Sequence, residues 1–140
     1  MRFLFPAALI AMALAGCGRK VAERREVQPV EGQVIWEKKP LEGAVVIFYP
    51  QGWQTNDNTR APRAQTGHDG TFHVGTYGNG DGAPEGQYVV TVVHCPLVQR
   101  GSDSVPGPNV LPNKYASPKT SDLRVEVVKG ANTLPALALK

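Results

Sequence analysis

The chain is predicted to be all-β: a single antiparallel β-sandwich of about seven strands that follows an N-terminal signal peptide. Three observations predict it. Apolar side chains recur at every second position across residues 30–36, 43–49, 86–94 and 122–128, the period of strands with one face buried. Gly (15) and Pro (12) are spread along the 140 residues, as turns between short strands require. No long segment carries the apolar repeat of an amphipathic helix.

Residues 1–16 read as a lipoprotein signal peptide. Arg2 supplies a positive start, and residues 3–14 are apolar, with Pro6 disturbing the backbone. A spanning helix needs about 20 apolar residues to cross ~30 Å of hydrocarbon. This stretch is shorter and ends in Ala15, Gly16 and Gly18, then Arg19 and Lys20, the layout of a processed segment. The run Leu14-Ala15-Gly16-Cys17 resembles the bacterial lipobox, which implies cleavage before Cys17 and acylation of its sulfur with diacylglycerol and palmitate-type chains. An ordinary secretory peptide cut elsewhere, or an uncut anchor, is the alternative. One acyl chain holds a membrane reversibly; the two or three chains that the resemblance implies hold it durably. The expected place is the cell envelope, anchored on a periplasmic or outer surface.

Residues 17–28 then form the lipidated cysteine and a polar tether. Extended at ~3.3 Å per residue, that tether reaches about 35 Å. Its Arg19, Lys20, Arg24 and Arg25, offset by Glu23 and Glu26, either meet anionic head groups or form a solvated linker. The formal charge of +3 includes Arg2, which leaves with the signal. No basic stripe interleaved with aromatics follows, so nucleic-acid binding has no support. With Cys17 acylated, Cys95 has no partner within the chain, and burial at a strand end is its expected fate. A Cys17–Cys95 disulfide is the reading if Cys17 stays unmodified.

The domain occupies residues 29–140. Val30, Val34 and Trp36 share a face with Gly32, Lys38-Lys39-Pro40 turns the chain, and Leu41 leads to a second strand. There Ala44, Val46 and Phe48 form one face, and Val45, Ile47 and Tyr49 an equally apolar other, as in a strand covered on both sides. A polar loop over 50–62 carries Trp53. A short strand is expected over 63–66, a hairpin at Asp69-Gly70, and a strand with Phe72 and Val74 on one side. Residues 77–85 make a Gly-rich turn, and 86–94 the most regular strand. Residues 96–118, with five prolines, read as a long loop of the kind that is functional or mobile. Leu123, Val125 and Val127 point inward from the next strand, Lys129-Gly130 turns, and Leu134, Leu137 and Leu139 form the last, with Pro135 marking an edge or a break.

Val30-x-Gly32-x-Val34 followed by Lys39-Pro40-Leu41-x-Gly43-Ala44-x-Val46-x-Phe48 resembles the opening of the carboxypeptidase-regulatory-like domain. Thr66-Gly67-x-Asp69-Gly70-x-Phe72 is similar to its second hairpin, and Gly80-Asp81-Gly82-Ala83-Pro84-x-Gly86-x-Tyr88-x-Val90-x-Val92 to its third block. The segment from Pro112 and Tyr115 to Val127 resembles the close of small lipoproteins built on that domain. The resemblance implies a transthyretin-like (prealbumin-like) sandwich and a non-catalytic module for adhesion, spacing or ligand contact. Asn56-Asp57-Asn58 and residues 98–110 fall outside the family pattern.

Chemistry-bearing residues are sparse. Gly82 and Gly86 are expected at positive φ, and the Asp81 carboxylate is expected to cap the turn. His68, His73, His94 and Cys95 have no tight ligand spacing, His73 is expected to face solvent, and His94 to share the inward face of Tyr88, so no metal site is predicted. Asn56-Asp57-Asn58 lacks the spacing of a calcium loop. Ser102, Ser104, Ser117 and Ser121 sit in no nucleophile elbow, and no cofactor motif occurs, so no enzyme is predicted. Trp53 is the candidate ligand contact, either as a platform for a glycan or surface polymer together with the 96–118 loop, or folded back over the sandwich edge. Trp36 is expected to pack. The partners expected are the membrane, through lipid on Cys17, and an envelope protein or glycan; the sequence specifies no oligomeric state.

Overall fold

The computed structural model describes residues 24–54 and 60–140; Cys17, the signal peptide expected over 1–16 and Asn56-Asp57-Asn58 lie outside them. The described residues are rich in strand and contain no α-helix. In chain order the strands are β1 (Val30–Trp36), β2 (Lys39–Pro40), β3 (Val45–Pro50), β4 (Arg63–Gln65), β5 (Thr71–His73) and β6 (Gly86–Val93). Then come β7 (Leu97–Arg100), β8 (Asp103–Pro106), one turn of 3-10 helix (Asn113–Ala116), β9 (Leu123–Val127), β10 (Asn132–Thr133) and β11 (Leu137–Leu139). One sheet is built on β1, which pairs with β2 and β5 antiparallel and with β10 and β11 parallel. The second sheet is antiparallel, in the order β4-β3-β6-β9. β7 and β8 form a hairpin of their own.

Alternation places the core. Val30 and Val34 from β1, Phe72 from β5, and Leu137 and Leu139 from β11 are buried in one cluster with Val46, Phe48, Tyr88, Val90, Val92 and Val127 of the second sheet. Gly32 belongs to the same face. A Cβ there would sit 2.6 Å from Cζ of Phe72, so the missing side chain lets the ring lie against β1. Phe72 meets Phe48 edge-on at 6.3 Å between centroids, and Phe48 meets Tyr88 at 5.8 Å. The Tyr88 hydroxyl donates to the Pro84 carbonyl at 2.6 Å, and burial raises its pKa above that of a free tyrosine. Trp36 is half-buried against the cluster, as expected for a packed strand end. The outer face of β3 (Val45, Ile47 and Tyr49) is half-buried too.

Several local expectations are corrected. The strands number eleven among the described residues rather than about seven, and the sheet on β1 is mixed rather than antiparallel. An apolar repeat of two residues is identical for both strand directions, so it carries no information on that choice. The first turn falls at Glu37-Lys38, with φ of 52° and 65°, and Lys39–Pro40 is already strand. Asp69-Gly70 does turn the chain, but β4 and β5 leave for different sheets instead of pairing. The last strand is split at Pro135 into β10 and β11, the break that its missing N–H favours. The 96–118 loop contains the β7–β8 hairpin and the 3-10 turn. Cys95 is exposed beyond the end of β6 rather than buried. His73 is exposed, as expected.

The tether is shorter than its composition suggests. The Arg24 guanidinium lies 5.2 Å from the centre of the Tyr77 ring, and the Arg25 amide donates to the Tyr77 hydroxyl at 2.9 Å. A side-chain nitrogen of Arg25 also donates to the Glu85 carbonyl. Gln28 and Ala83 exchange two backbone hydrogen bonds of 2.8 and 2.9 Å. From Arg24 onward, then, the chain is docked on the domain.

Candidate functional site

Trp53 is positioned by the exit of β3. The chain turns at Gln51-Gly52, where Gly52 takes φ 82° and the Trp53 amide donates to the Pro50 carbonyl at 2.8 Å. This brings the indole onto Tyr49, with ring centroids 4.8 Å apart and planes inclined by 57°. Tyr49 stands opposite Val89 of β6, so the two aromatics continue the outer face of the second sheet. Trp53 is half-buried, which lies between the two alternatives for it: it folds back, yet stays at the surface. Its Nε1–H is buried with no hydrogen-bond partner. A donor left so is costly, by about 1–3 kcal/mol.

The opposite wall comes from the far end of the 96–118 loop. Ser117, Pro118 and Lys119 line a groove of about 630 Å³ together with Tyr49, Trp53 and Val89. This wall is held by Ser121, whose amide donates to the Ser117 carbonyl at 2.9 Å and whose hydroxyl donates to the Val90 carbonyl of β6. The Thr120 hydroxyl ties back to the Lys114 carbonyl at 2.8 Å. The structure therefore brings Trp53 to one end of that loop, but not to the β7–β8 hairpin within it. Sequence reasoning missed Tyr49 and Val89, although their outward parity along β3 and β6 was legible. The described lining offers two aromatic rings, two prolines, the hydroxyls of Tyr49 and Ser117, the Gln54 amide and one ammonium group. Among the described residues the groove has no carboxylate pair, and neither group with a shifted pKa lines it. Those groups are Tyr88 and Asp69, whose pKa is lowered chiefly by the Thr71 hydroxyl and then by the Thr71 amide.

The remaining candidates stay apart. Among the described residues, no three His, Cys, Asp or Glu side chains converge as metal ligands do. His68 meets Glu42 at 3.2 Å and His73 meets Glu31 at 3.8 Å, both at the surface. His94 is half-buried just past β6; its amide is capped by the Asn109 side chain at 2.9 Å, and its Nδ1 is buried and unpaired. Ser121 is buried and spends its hydroxyl on backbone. The Asp81 carboxylate accepts from the amides of Thr76, Tyr77 and Gly78 at 2.7–3.1 Å, the cap expected of it. Gly82 and Gly86 have the expected positive φ, 112° and 149°.

No protein-family model and no curated protein matches this chain. Among solved structures, the chain is similar to part of a 9R-lipoxygenase from Cyanothece PCC8801, with 12% identity and a TM-score of 0.44. That likeness covers 81% of this chain and 16% of the lipoxygenase.

Proposed function

We propose that this chain is a lipid-anchored, non-catalytic module of the bacterial cell envelope, a transthyretin-like β-sandwich of the carboxypeptidase-regulatory-like kind. The observation that carries the anchor is Leu14-Ala15-Gly16-Cys17 at the end of a short apolar segment with a positive start. A single core cluster fed by two sheets supports the sandwich, and the family-like blocks fall on its strands: Val30 to Val34 on β1, Gly86 to Val92 on β6. Acyl chains on Cys17 grip the bilayer, and the domain performs its task by contact. Palmitate fed to expressing cells is expected to enter the wild-type protein and to be absent from Cys17→Ser, which leaves the membrane fraction. Equal labelling of both proteins would remove the anchor from Cys17.

A second reading, glycan or surface-polymer binding, is favoured by the groove at Trp53. Sugar rings present C–H faces that stack on aromatics and hydroxyls that need partners at the rim. Tyr49 and Trp53 supply the rings, and Ser117 and Lys119 the polar rim. A small outward tilt of the indole pairs its unmet N–H with a ligand oxygen. Trp53→Ala is expected to cost about 2 kcal/mol of glycan affinity, roughly 30-fold. Trp36→Phe, at a packed strand end, leaves it unchanged. Binding on a glycan array that is indifferent to Trp53→Ala excludes this groove.

A further inference from the structure

We propose that a second groove, between β4 and the 75–80 turn, takes the phosphate of anionic lipid head groups and so seats the domain on the membrane that anchors it. The groove has a volume of about 580 Å³, and its lining includes Arg60, Arg63, His73 and Tyr77 but no carboxylate among the described residues. The guanidinium groups of Arg60 and Arg63 are exposed and make no hydrogen bond or ion pair with any described residue. Two such forks beside one cavity match the oxygens of a phosphate. His73 faces the Glu31 carboxylate at 3.8 Å, so the arginines are the cations of this lining without a carboxylate partner among the described residues.

The wall opposite β4 is built in advance. Asp81 holds three successive amides of the turn, and a Cβ on Gly75 would lie 2.1 Å from the Gly78 carbonyl oxygen, so the turn is closed tightly on itself. Arg63 and Gly75 exchange two backbone hydrogen bonds of 2.9 Å, which fix the turn against β4. The groove thus needs no rearrangement to receive an anion.

Its position selects the source of the phosphate. Tyr77, on the groove's lining, is the residue that Arg24 and Arg25 dock against. Seven residue steps lead from Cys17 to Arg24 (24 minus 17), a reach of at most about 23 Å at ~3.3 Å each. Arg24, the first described residue, lies against Tyr77, so the chain leading from Cys17 joins the domain beside this groove. Arg24 and Arg25 share their own groove with Glu26 and Glu85, whereas Arg60 and Arg63 share theirs with no carboxylate among the described residues. This inference rests on the proposed anchor.

The test uses the lipidated protein purified from the envelope and reconstituted on vesicles of phosphatidylcholine, with or without phosphatidylglycerol. Flotation reports attachment, and amide hydrogen exchange at residues 75–80 reports the groove. The expected result is flotation on both, with exchange slowed only when phosphatidylglycerol is present. The slowing is up to about 25-fold, about fivefold for each arginine at an anionic surface. Arg60→Gln/Arg63→Gln is expected to float equally and to lose the slowing. Slowing that survives in that variant, or flotation without any slowing, overturns the groove while leaving the anchor intact. Slowing by inorganic phosphate but not by phosphatidylglycerol overturns the membrane as the source. Failure to float on either vesicle removes the anchor, and the membrane docking with it.

Discussion

Gly82→Ala is expected to destabilise the domain by about 3–5 kcal/mol, the sum of a forbidden backbone angle and a broken bridge. Gly82 sits at φ 112°, where a Cβ is strained whatever the space around it. The space is absent as well. An added Cβ would lie 2.0 Å from the Gln28 carbonyl oxygen and 2.5 Å from its carbon, both backbone atoms that no rotamer change can move. Relief therefore requires separating the 82–83 backbone from residues 28–29. That breaks the pair of hydrogen bonds between Gln28 and Ala83 and strains the bond from the Gly82 amide to the Val74 carbonyl at 2.8 Å. Urea unfolding of the variant measures the loss, and faster amide exchange at Gln28 and Ala83 locates it. Gly78→Ala is the control: nothing lies within 4 Å of its added Cβ, and stability is expected to stay within about 0.5 kcal/mol of wild type. A Gly82→Ala protein as stable as that control would mean that the 24–28 segment is not docked as described.

This docking marks where the sequence stopped being legible. Burial on one face leaves a period in the chain, and that period located β1, β3, β6 and β9 to within a residue or two. Turn chemistry was legible for the same reason, because Asp81 and Gly82 have side-chain and backbone properties that few other residues share. The β7–β8 hairpin left no such trace. Leu97 is 70% exposed and all of β7 faces solvent, so no alternation was selected. The parallel course of β10 and β11 beside β1 was hidden because strand direction leaves the apolar period unchanged. It is enforced by Asn132, whose side chain accepts from the Val128 amide and donates to the carbonyls of Pro29, Val128 and Gly130. The Trp53 groove was half legible. A tryptophan in a polar loop announces itself, but the arrival of Ser117–Lys119 depends on a hydroxyl bond from Ser121 to Val90, 31 residues away. Contacts of that kind have no sequence period to betray them.

Phe48→Ala is expected to cost about 3–5 kcal/mol, the range for removing a buried aromatic ring without collapse of the cavity. Phe48 has no exposed surface, and its ring bridges the layers: it meets Phe72 of the sheet on β1 and, within its own sheet, Tyr88 of β6. Removing it leaves a void bounded by strands held in register by backbone hydrogen bonds, so the walls cannot close by moving one side chain. Small domains have about 5–15 kcal/mol in total, so the variant is expected to be partly unfolded near body temperature. Leu97→Ala, on the exposed hairpin, is expected to change stability by less than about 0.5 kcal/mol. The sharper measurement is a double-mutant cycle with Phe72→Leu. If the two sheets face each other through these rings, the cycle returns a coupling of about 0.5–1.5 kcal/mol, the worth of an edge-on aromatic pair beyond its buried area. A coupling of zero, with both single variants destabilised, would mean that each ring is buried against its own sheet. The sandwich proposed for this chain would then lose its aromatic bridge between the layers, and its core would rest on the aliphatic members of the cluster, Val30, Val34, Leu137 and Leu139 against Val46, Val90, Val92 and Val127.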